Sequence, residues 1–434
     1  MLVPGVSRRE QDPSPGASTL LALLGPADGS AVAPRARALT QQAWDEVLAL
    51  ALRHSVAPLL QRALRSAGAL AASPQSVRAR LEQERRATAL DNLRNYGEFR
   101  RVARALRDCA VPVIALKGLH LAELVYRDIS LRPMIDLDLL VPRAQRGQAI
   151  AALRAHGYSF EEQTLERGFD DGQAVAAEAM LDGKYHVGLV QRQRGIVAEI
   201  HWTLDDPLHP YSPPIEDIWR DAAAARLGDA DTRVMSPEFL LLHVCAHLAY
   251  NHVFAFSLRA LCDIAEIVRV YPGLDWAAVA DRSRRCGWRT GVAAALRLAR
   301  DSLGAQVPAE AIAATGGNAL EPELLEEALA HLLALSEIPE EMRAAPNFMA
   351  LAGRRGLGAK IAAAWNRLFV SRAELALIYG IPEHSARIGL YYAVRLRDLI
   401  RTYAASTWAF SVSDPQLAAT AARQARLAKW ITTV

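Results

Sequence analysis

The sequence predicts an α+β fold in which a small mixed sheet is flanked by N-terminal helices and a larger C-terminal helical region. Short β-prone runs cluster between residues 109 and 204. On both sides of this stretch, apolar side chains recur at three- and four-residue spacing, which is typical of amphipathic helices. Strands and helices that occupy separate stretches of a chain favour an α+β arrangement over a regular alternation of the two.

The chain before the sheet divides into a tail and a helical region. Residues 1–38 are rich in Pro, Gly, Ser and Arg and contain one short apolar stretch at 20–24, so we expect a flexible tail with one docked turn. The N-terminal helical region covers residues 39–108. Its apolar spacing predicts a helix or helix pair over 40–67 and one long helix over 76–108.

The central and C-terminal regions are predicted to cover residues 109–204 and 205–434. In the first, the pattern predicts strands at 111–116, 134–141, 186–191 and 196–202, and helices at 118–127 and 146–156. In the second, it predicts helices at 237–251, 257–270, 276–286, 291–303 and 322–335, followed by a helical series that breaks near Gly380-Ile381-Pro382.

Composition excludes several classes of protein. Hydrophobic residues make up 51% of the chain and charged residues 22%, which is typical of a folded globular protein. No apolar run approaches the ~18 residues of a membrane span, and charges and prolines occupy the N-terminus where a signal peptide is apolar, so we expect no membrane partner and a cytoplasmic location. A net charge of +3 does not predict strong binding of duplex nucleic acid.

Two aspartates lie on one of the predicted strands. Residues i and i+2 of a strand point to the same face about 6.6 Å apart, so Asp136 and Asp138 direct two carboxylates to one place while Ile135, Leu137 and Leu139 face the core. Asp is disfavoured in strands, and the mutual repulsion of two carboxylates would be cancelled by a bound cation such as Mg²⁺ or Mn²⁺. The alternative is two solvated aspartates near a strand end.

A third carboxylate lies on a later strand. Val197, Glu199 and His201 share one face of the run IVAEIHWTL, so Glu199 joins the aspartates if the two strands are neighbours. By itself, a lone Glu in a strand is usually an edge residue, and a lone His is usually a hydrogen-bonded structural group. The hypothesis of a metal site therefore depends on the combination of Asp136, Asp138 and Glu199.

A strand that runs directly into a helix precedes the aspartates. The turn at Lys117-Gly118 offers backbone N–H groups, a glycine that permits close approach and a point charge, which together could hold a phosphate. Lys117 is one of only four lysines among fifty basic residues. Arg132 could reach either a triphosphate or Asp136. The alternative interpretation is an ordinary connection between strand and helix.

These motifs resemble the uncharacterised nucleotidyltransferase family of the DNA polymerase beta superfamily. The resemblance rests on Lys117-Gly118, on Arg132-Pro133-Met134 leading into Asp136-x-Asp138, and on Glu199-x-His201-Trp202. It extends to the helices LLLHVCAHLAYNH and LRALCDIAEIV and covers most of residues 40–400. Leu119 departs from the superfamily pattern, because a Ser or second Gly is usual at that position.

The resemblance implies a metal-dependent nucleotidyltransferase that moves a nucleoside monophosphate from a triphosphate such as ATP to an acceptor. Asp136, Asp138 and Glu199 would hold Mg²⁺ or Mn²⁺, and Lys117, Gly118, Arg132 and His201 would bind the nucleotide. The acceptor could be a modified peptide, because relatives often accompany genes for such peptides, or a small molecule or RNA end. A second hypothesis is a catalytically degenerate accessory protein that binds a nucleotide or peptide.

A third hypothesis is a metal hydrolase centred on histidines. His243 and His247 are four residues apart and so share a helix face, but the glutamate of the H-E-x-x-H zinc motif is missing. We expect His247, His252, Arg259 and Asp263 either to line a cleft that faces the sheet or to stabilise helix packing.

Overall fold

The computed structural model describes residues 14–25, 31–160, 181, 184–204, 211, 213–255, 257–317, 320–334, 372, 375, 385, 388–397 and 415–432. Within these residues, helices surround one seven-stranded mixed sheet, which confirms the α+β fold class. The predicted break near Gly380 lies outside the described residues. No helix in the described ranges is long and apolar enough to cross a membrane.

Five α-helices precede the first strand in the described part of the chain. They are α1 Pro15–Leu24, α2 Val32–Ala38, α3 Gln41–Arg53, α4 Ala57–Ser66 and α5 Gln75–Asp108, with a 3₁₀ turn at Leu70–Ala72. Of the two arrangements predicted over 40–67, the helix pair is correct, since α3 ends at Arg53 and α4 begins at Ala57, with Ser55 between them at a φ of +55°. The single long helix is also confirmed.

The expectation of a loose tail is wrong for the described residues of 1–38. In α1, Leu20 and Leu23 are fully buried in the core formed by the helices, and Val32 of α2 joins them. The Pro and Ser that suggested a loop instead start a helix. Ser14 caps α1 by accepting a hydrogen bond from the Ala17 amide at 3.2 Å, and Pro15 fits the first helical position.

The sheet has the strand order β3-β4-β5-β2-β1-β7-β6. Its strands are β1 Ile114–Ala115, β2 Asp136–Leu140, β3 Ser159–Phe160, β4 His186–Gln191, β5 Ile196–His201, β6 Ala223–Leu227 and β7 Ala230–Val234. β2 runs parallel to β5 and antiparallel to β1, and β1 runs parallel to β7. The central position of β2 places its side chains beside those of β5.

The hairpin β6–β7 corrects the expectation that strands occur only up to residue 204. This hairpin supplies one edge of the sheet and covers β1 on the side away from β2. Its sequence, AAARL-GD-ADTRV, is rich in Ala, Arg and Asp, which have little intrinsic preference for strands. Pairing with β1, rather than local propensity, therefore accounts for the strand conformation.

Helices connect the strands, and further helices follow the sheet. The connecting helices are α6 Lys117–His120, which continues into a π turn at Leu121–Val125, α7 Arg146–Ala155, which follows a 3₁₀ turn at Arg143–Gln145, and α8 Ile215–Asp221. The later helices are α9 Pro237–Ala246 with a π turn at His247–Asn251, α10 Arg259–Val270, α11 Trp276–Arg285, α12 Arg289–Leu303, α13 Ala309–Ala314, α14 Pro322–Leu333 and α15 Pro415–Thr432.

Helix α5 joins two hydrophobic cores. Its first half buries Val77 and Leu81 among the other helices. Its second half buries Phe99 and Leu106 against the sheet. A helix of 34 residues is about 50 Å long, which is long enough to belong to both layers.

Candidate active site

The structure brings Asp138, Glu199 and His201 together. In the parallel pair of β2 and β5, Asp138 lies directly opposite Glu199, and His201 follows two residues later on the same face. One ligand atom from each side chain lies within 4.8 Å of the others. Asp138 and His201 are buried, and Glu199 is partly exposed. A cation at this point would contact two carboxylates and one imidazole.

Asp136 lies at the first position of β2, partly exposed. Burial and then repulsion by Asp138 and Glu199 raise the pKa of Asp136 to about 7. Ile135 is 79% exposed, so its predicted place in the core is wrong, whereas Leu137 and Leu139 are fully buried as expected. The strand alternation does not extend to Ile135 because the strand begins one residue later.

Lys117 contacts the carboxylates directly. Its Nζ lies 3.3 Å from Oδ1 of Asp138. Burial opposes the charge on the ammonium, but Asp138, Glu199 and Asp136 outweigh that cost and raise the pKa of Lys117. Its φ of +26° is unusual for a residue with a side chain. A conformation of this kind, held at the end of β1, persists only where surrounding structure imposes it.

His201 is the second positive partner of the carboxylates. Its Nε2 lies 3.0 Å from Oδ1 of Asp138 and 3.2 Å from Oε2 of Glu199. Burial opposes protonation of the ring, but these two hydrogen bonds raise the pKa of His201. Burial also opposes ionisation of Asp138, yet Lys117 and His201 together hold its pKa well below the ordinary value.

Gly118 faces protein rather than open space. A Cβ added to Gly118 would lie 2.9 Å from Cβ of Met134 and 3.2 Å from Nη1 of Arg132. The glycine therefore permits α6 to approach the segment before β2. Gly118 does permit a close approach, as the sequence suggested. The described groups that approach it are Met134 and Arg132 of the same chain.

We expect Gly118→Ala to lower the free energy of unfolding by about 1 to 3 kcal/mol, because a side chain must push Met134 away. Gly97→Ala is the matched control, since a Cβ at Gly97 on α5 meets nothing within 4 Å. That control should stabilise the helix by about 0.5 to 1 kcal/mol. Urea unfolding of both variants measures the difference. Equal effects would contradict the packing role.

Arg132 lies against a helix of the C-terminal region. Its guanidinium binds Asp263 of α10 through Nη2–Oδ2 at 3.1 Å and Nε–Oδ1 at 3.4 Å, and the Tyr126 hydroxyl donates to the same Oδ1 at 2.9 Å. Arg259 adds a hydrogen bond from Nη1 to the Pro133 carbonyl at 3.1 Å. The segment before β2 is thus fastened to α10 by buried polar contacts.

We expect Asp263→Ala to lower the free energy of unfolding by about 3 to 5 kcal/mol, because the buried Arg132 guanidinium loses its carboxylate. Asp91→Ala serves as the control, since the ion pair of Asp91 and Arg94 is largely exposed and its loss should cost under about 1 kcal/mol. Denaturant titrations of the two variants provide the measurement. A loss for Asp263→Ala as small as the control would show that the buried pair contributes little.

A π turn brings two of the predicted cleft histidines together. In the turn that begins at His247, the His252 amide donates to the His247 carbonyl at 3.2 Å. The two Nε2 atoms then lie 3.3 Å apart. The next residues, Val253 and Phe254, both have positive φ, which is costly for branched and aromatic side chains. π turns are frequent at functional sites.

These histidines lie within electrostatic reach of Lys117. Burial first, and the Lys117 charge second, lower the pKa of His247 far below its ordinary value and that of His252 to about 3. Both rings are therefore neutral at pH 7. The spacing of four residues had instead paired His243 with His247, whose ring centroids are 6.3 Å apart.

His186 is a site residue that the sequence reasoning missed. It lies opposite His201 in the antiparallel pair of β4 and β5. The two rings stack with centroids 4.8 Å apart, and Nε2 of His186 lies 3.8 Å from Oε2 of Glu199. Burial lowers the pKa of His186 to about 3. The hairpin register around Arg194-Gly195 was the signal that could have found it, because cross-strand partners are neighbours.

Asp138 and Glu199 on neighbouring strands, together with His201, form a group of side chains that could hold a metal ion. Residues 40–304 match the family of uncharacterised nucleotidyltransferases. The chain belongs to this family. The matched stretch runs from α3 to α12 and includes both the carboxylate cluster and the histidine pair. Comparisons with curated proteins and with solved structures found no match.

Proposed function

We propose that the protein is a metal-dependent nucleotidyltransferase that moves a nucleoside monophosphate from a triphosphate, such as ATP, to a hydroxyl or similar group of an acceptor. The observation that carries this proposal is the convergence of Asp138 and Glu199 from parallel strands, with Asp136 on the same face of β2. Membership of a nucleotidyltransferase family supports the same chemistry.

The residues present fit a divalent cation. Carboxylate oxygens are the ligands that Mg²⁺ and Mn²⁺ prefer, and Asp138 and Glu199 offer such oxygens within 4.8 Å of each other. Asp136, Asp138 and Glu199 would hold the metal. When bound, it would polarise the α-phosphate and neutralise charge on the triphosphate.

Other residues of the site act through charge and position. The Lys117 ammonium is charged and lies at the carboxylates, so it can bind a phosphate that docks beside them. Without a bound metal, His201 orients Asp138 and Glu199 through its two hydrogen bonds. We assign Arg132 a role in positioning the segment before β2, because its guanidinium binds Asp263. Gly118 allows the close packing of α6 that places Lys117.

The acceptor we propose is a peptide, a small molecule or an RNA end. Metal-free protein should be incubated with each α-labelled nucleoside triphosphate, with Mg²⁺ or Mn²⁺, and with members of each acceptor class. Mass spectrometry should then find an acceptor heavier by one nucleoside monophosphate. Glu199→Gln should lose the metal response, whereas Asp231→Asn, which removes an exposed carboxylate on β7 of the same sheet, should keep it.

Two outcomes would contradict the proposal. Transfer that proceeds equally well in EDTA would contradict the requirement for a metal. Full transfer by Glu199→Gln would contradict the role of the carboxylate cluster. A third outcome selects the alternative function: nucleotide that raises the melting temperature but yields no product with any acceptor indicates a catalytically degenerate binding protein.

A further inference from the structure

We propose that Nε2 of His201 is a direct ligand of the metal, beside Asp138 and Glu199, and that the site therefore binds Mn²⁺ more tightly than Mg²⁺. This inference rests on the metal dependence of the proposed function. It assigns His201 a role different from the nucleotide-binding role that the sequence suggested.

The distances between donor atoms fit one shared ion. Nε2 of His201 lies 3.0 Å from Oδ1 of Asp138 and 3.2 Å from Oε2 of Glu199. Two ligand atoms that each bind one ion at about 2.0 to 2.2 Å, at a right angle, lie about 3 Å from each other. The two distances from His201 Nε2 therefore already match the spacing of adjacent ligands, and all three ligand atoms lie within 4.8 Å of one another.

The three donors are also held firmly in place. Asp138 and Glu199 are register partners on adjacent strands, and His201 is the last residue of β5. The His201 side chain is 4% exposed and stacks on His186 with 18° between the ring planes. A ring packed in this way presents Nε2 to the carboxylates with little freedom to turn aside.

The donor chemistry separates the two metals. Mg²⁺ favours an all-oxygen set and exchanges its water reluctantly, whereas imidazole nitrogen suits transition metals. Mn²⁺ accepts both oxygen and nitrogen ligands. Replacing one oxygen by the nitrogen of His201 therefore favours Mn²⁺, and we expect its Kd to be at least tenfold lower than that of Mg²⁺.

Pulsed electron paramagnetic resonance of the Mn²⁺-loaded full-length protein tests the ligand directly. The wild type should show coupling of Mn²⁺ to a directly bound nitrogen, and labelling of histidine with ¹⁵N should change its frequencies. His201→Gln should lose this coupling. His186→Gln is the matched control and should retain it, because His186 Nε2 lies 3.8 Å from Oε2 of Glu199, whereas His201 Nε2 lies 3.2 Å from the same atom.

Calorimetric titration supplies a second readout. The two possible roles of His201 predict that His201→Gln changes the Kd for the metal in opposite directions. If His201 is a ligand, His201→Gln should raise the Kd for Mn²⁺ at least tenfold and that for Mg²⁺ less than threefold. If His201 is only a charged hydrogen-bond partner that competes with the metal, the variant should bind both ions more tightly. That result, or wild-type protein without nitrogen coupling, overturns the proposal.

Two further comparisons keep the test decisive. If His201→Gln fails to fold, nitrogen coupling that is present in the ¹⁵N-labelled wild type and retained in His186→Gln still supports His201 as the ligand, because His186 Nε2 is the neighbouring imidazole nitrogen near Glu199. Nitrogen coupling in a protein that transfers no nucleotide would support the ligand and contradict the proposed function. Nucleotide transfer with Mg²⁺, together with no nitrogen coupling in Mn²⁺-loaded protein, would support the proposed function and contradict His201 as a ligand.

Discussion

Lowering the pH from 7 to 5 is expected to destabilise the protein by several kcal/mol. Among the described residues, seven histidines have pKa values lowered chiefly by burial: His54, His120, His186, His243, His247, His252 and His331. The pKa values of His54, His120 and His331 are about 4, and those of His186 and His252 are about 3. The folded protein therefore keeps these rings neutral at a pH where the unfolded chain protonates them.

The sign follows from proton uptake on unfolding. A group whose folded pKa is depressed contributes stability that is present above its unfolded value, near 6.5, and is lost as the pH falls towards 4. Each such histidine contributes up to about 1.4 kcal/mol per pH unit in that window. Several of them acting together approach the total stability of a typical domain, about 5 to 15 kcal/mol.

Urea unfolding at pH 7.5, 6.5 and 5.5 measures this effect. The midpoint should fall moderately between the first two conditions and sharply at the third. His331→Gln removes one buried ring on α14, away from the carboxylates, and should reduce the proton uptake by about one. A midpoint that is constant from pH 6.5 to 5.5 would show that these rings are already protonated in the folded protein.

The second large effect concerns Asp136 and Asp138. Substitution by Asn should lower nucleotide transfer at both positions but should change the stability of the fold differently. Both Asp136→Asn and Asp138→Asn should reduce transfer by roughly a thousandfold or more, about 4 kcal/mol in the transition state. Asp138→Asn should also lower the free energy of unfolding by about 2 to 4 kcal/mol, because Lys117 and His201 lose their shared carboxylate. Asp136→Asn should leave metal-free stability equal or higher at pH 8.

The reason is the opposite direction of the two pKa shifts. Asp136 has a pKa raised to about 7, so its ionisation above pH 7 weakens the fold, and an uncharged amide avoids that cost. Asp138 has a lowered pKa, so its charge stabilises the fold. Denaturation in EDTA at pH 8 compares the two variants. Equal losses of stability would contradict this division of roles.

The sequence predicted the part of the site that depends on local periodicity. Alternation along β2 and β5 was enough to place Asp138, Glu199 and His201 on one face, because side-chain direction in a strand has a period of two. The fold class followed from the same patterns. The carboxylate cluster was therefore predictable once the two strands were assumed to be neighbours.

The missed features depend on contacts between distant parts of the chain. Asp263 lies 131 residues after Arg132, and no spacing rule connects them. The β6–β7 hairpin has weak strand propensity and is fixed by its pairing with β1. The π turn after α9 changes which histidines meet, because a helical face calculated at 3.6 residues per turn does not apply to it.

The position of β1 determines the smallest fragment of the chain that could be transferred to another protein with the site intact. A fragment ending at residue 204 would lack β7, and β1, only two residues long, would become an exposed edge directly before Lys117. It would also lack Asp263, so Arg132 would face water instead of α10. A chimera that preserves the carboxylate geometry therefore has to carry the chain from α5 through α10 as one piece.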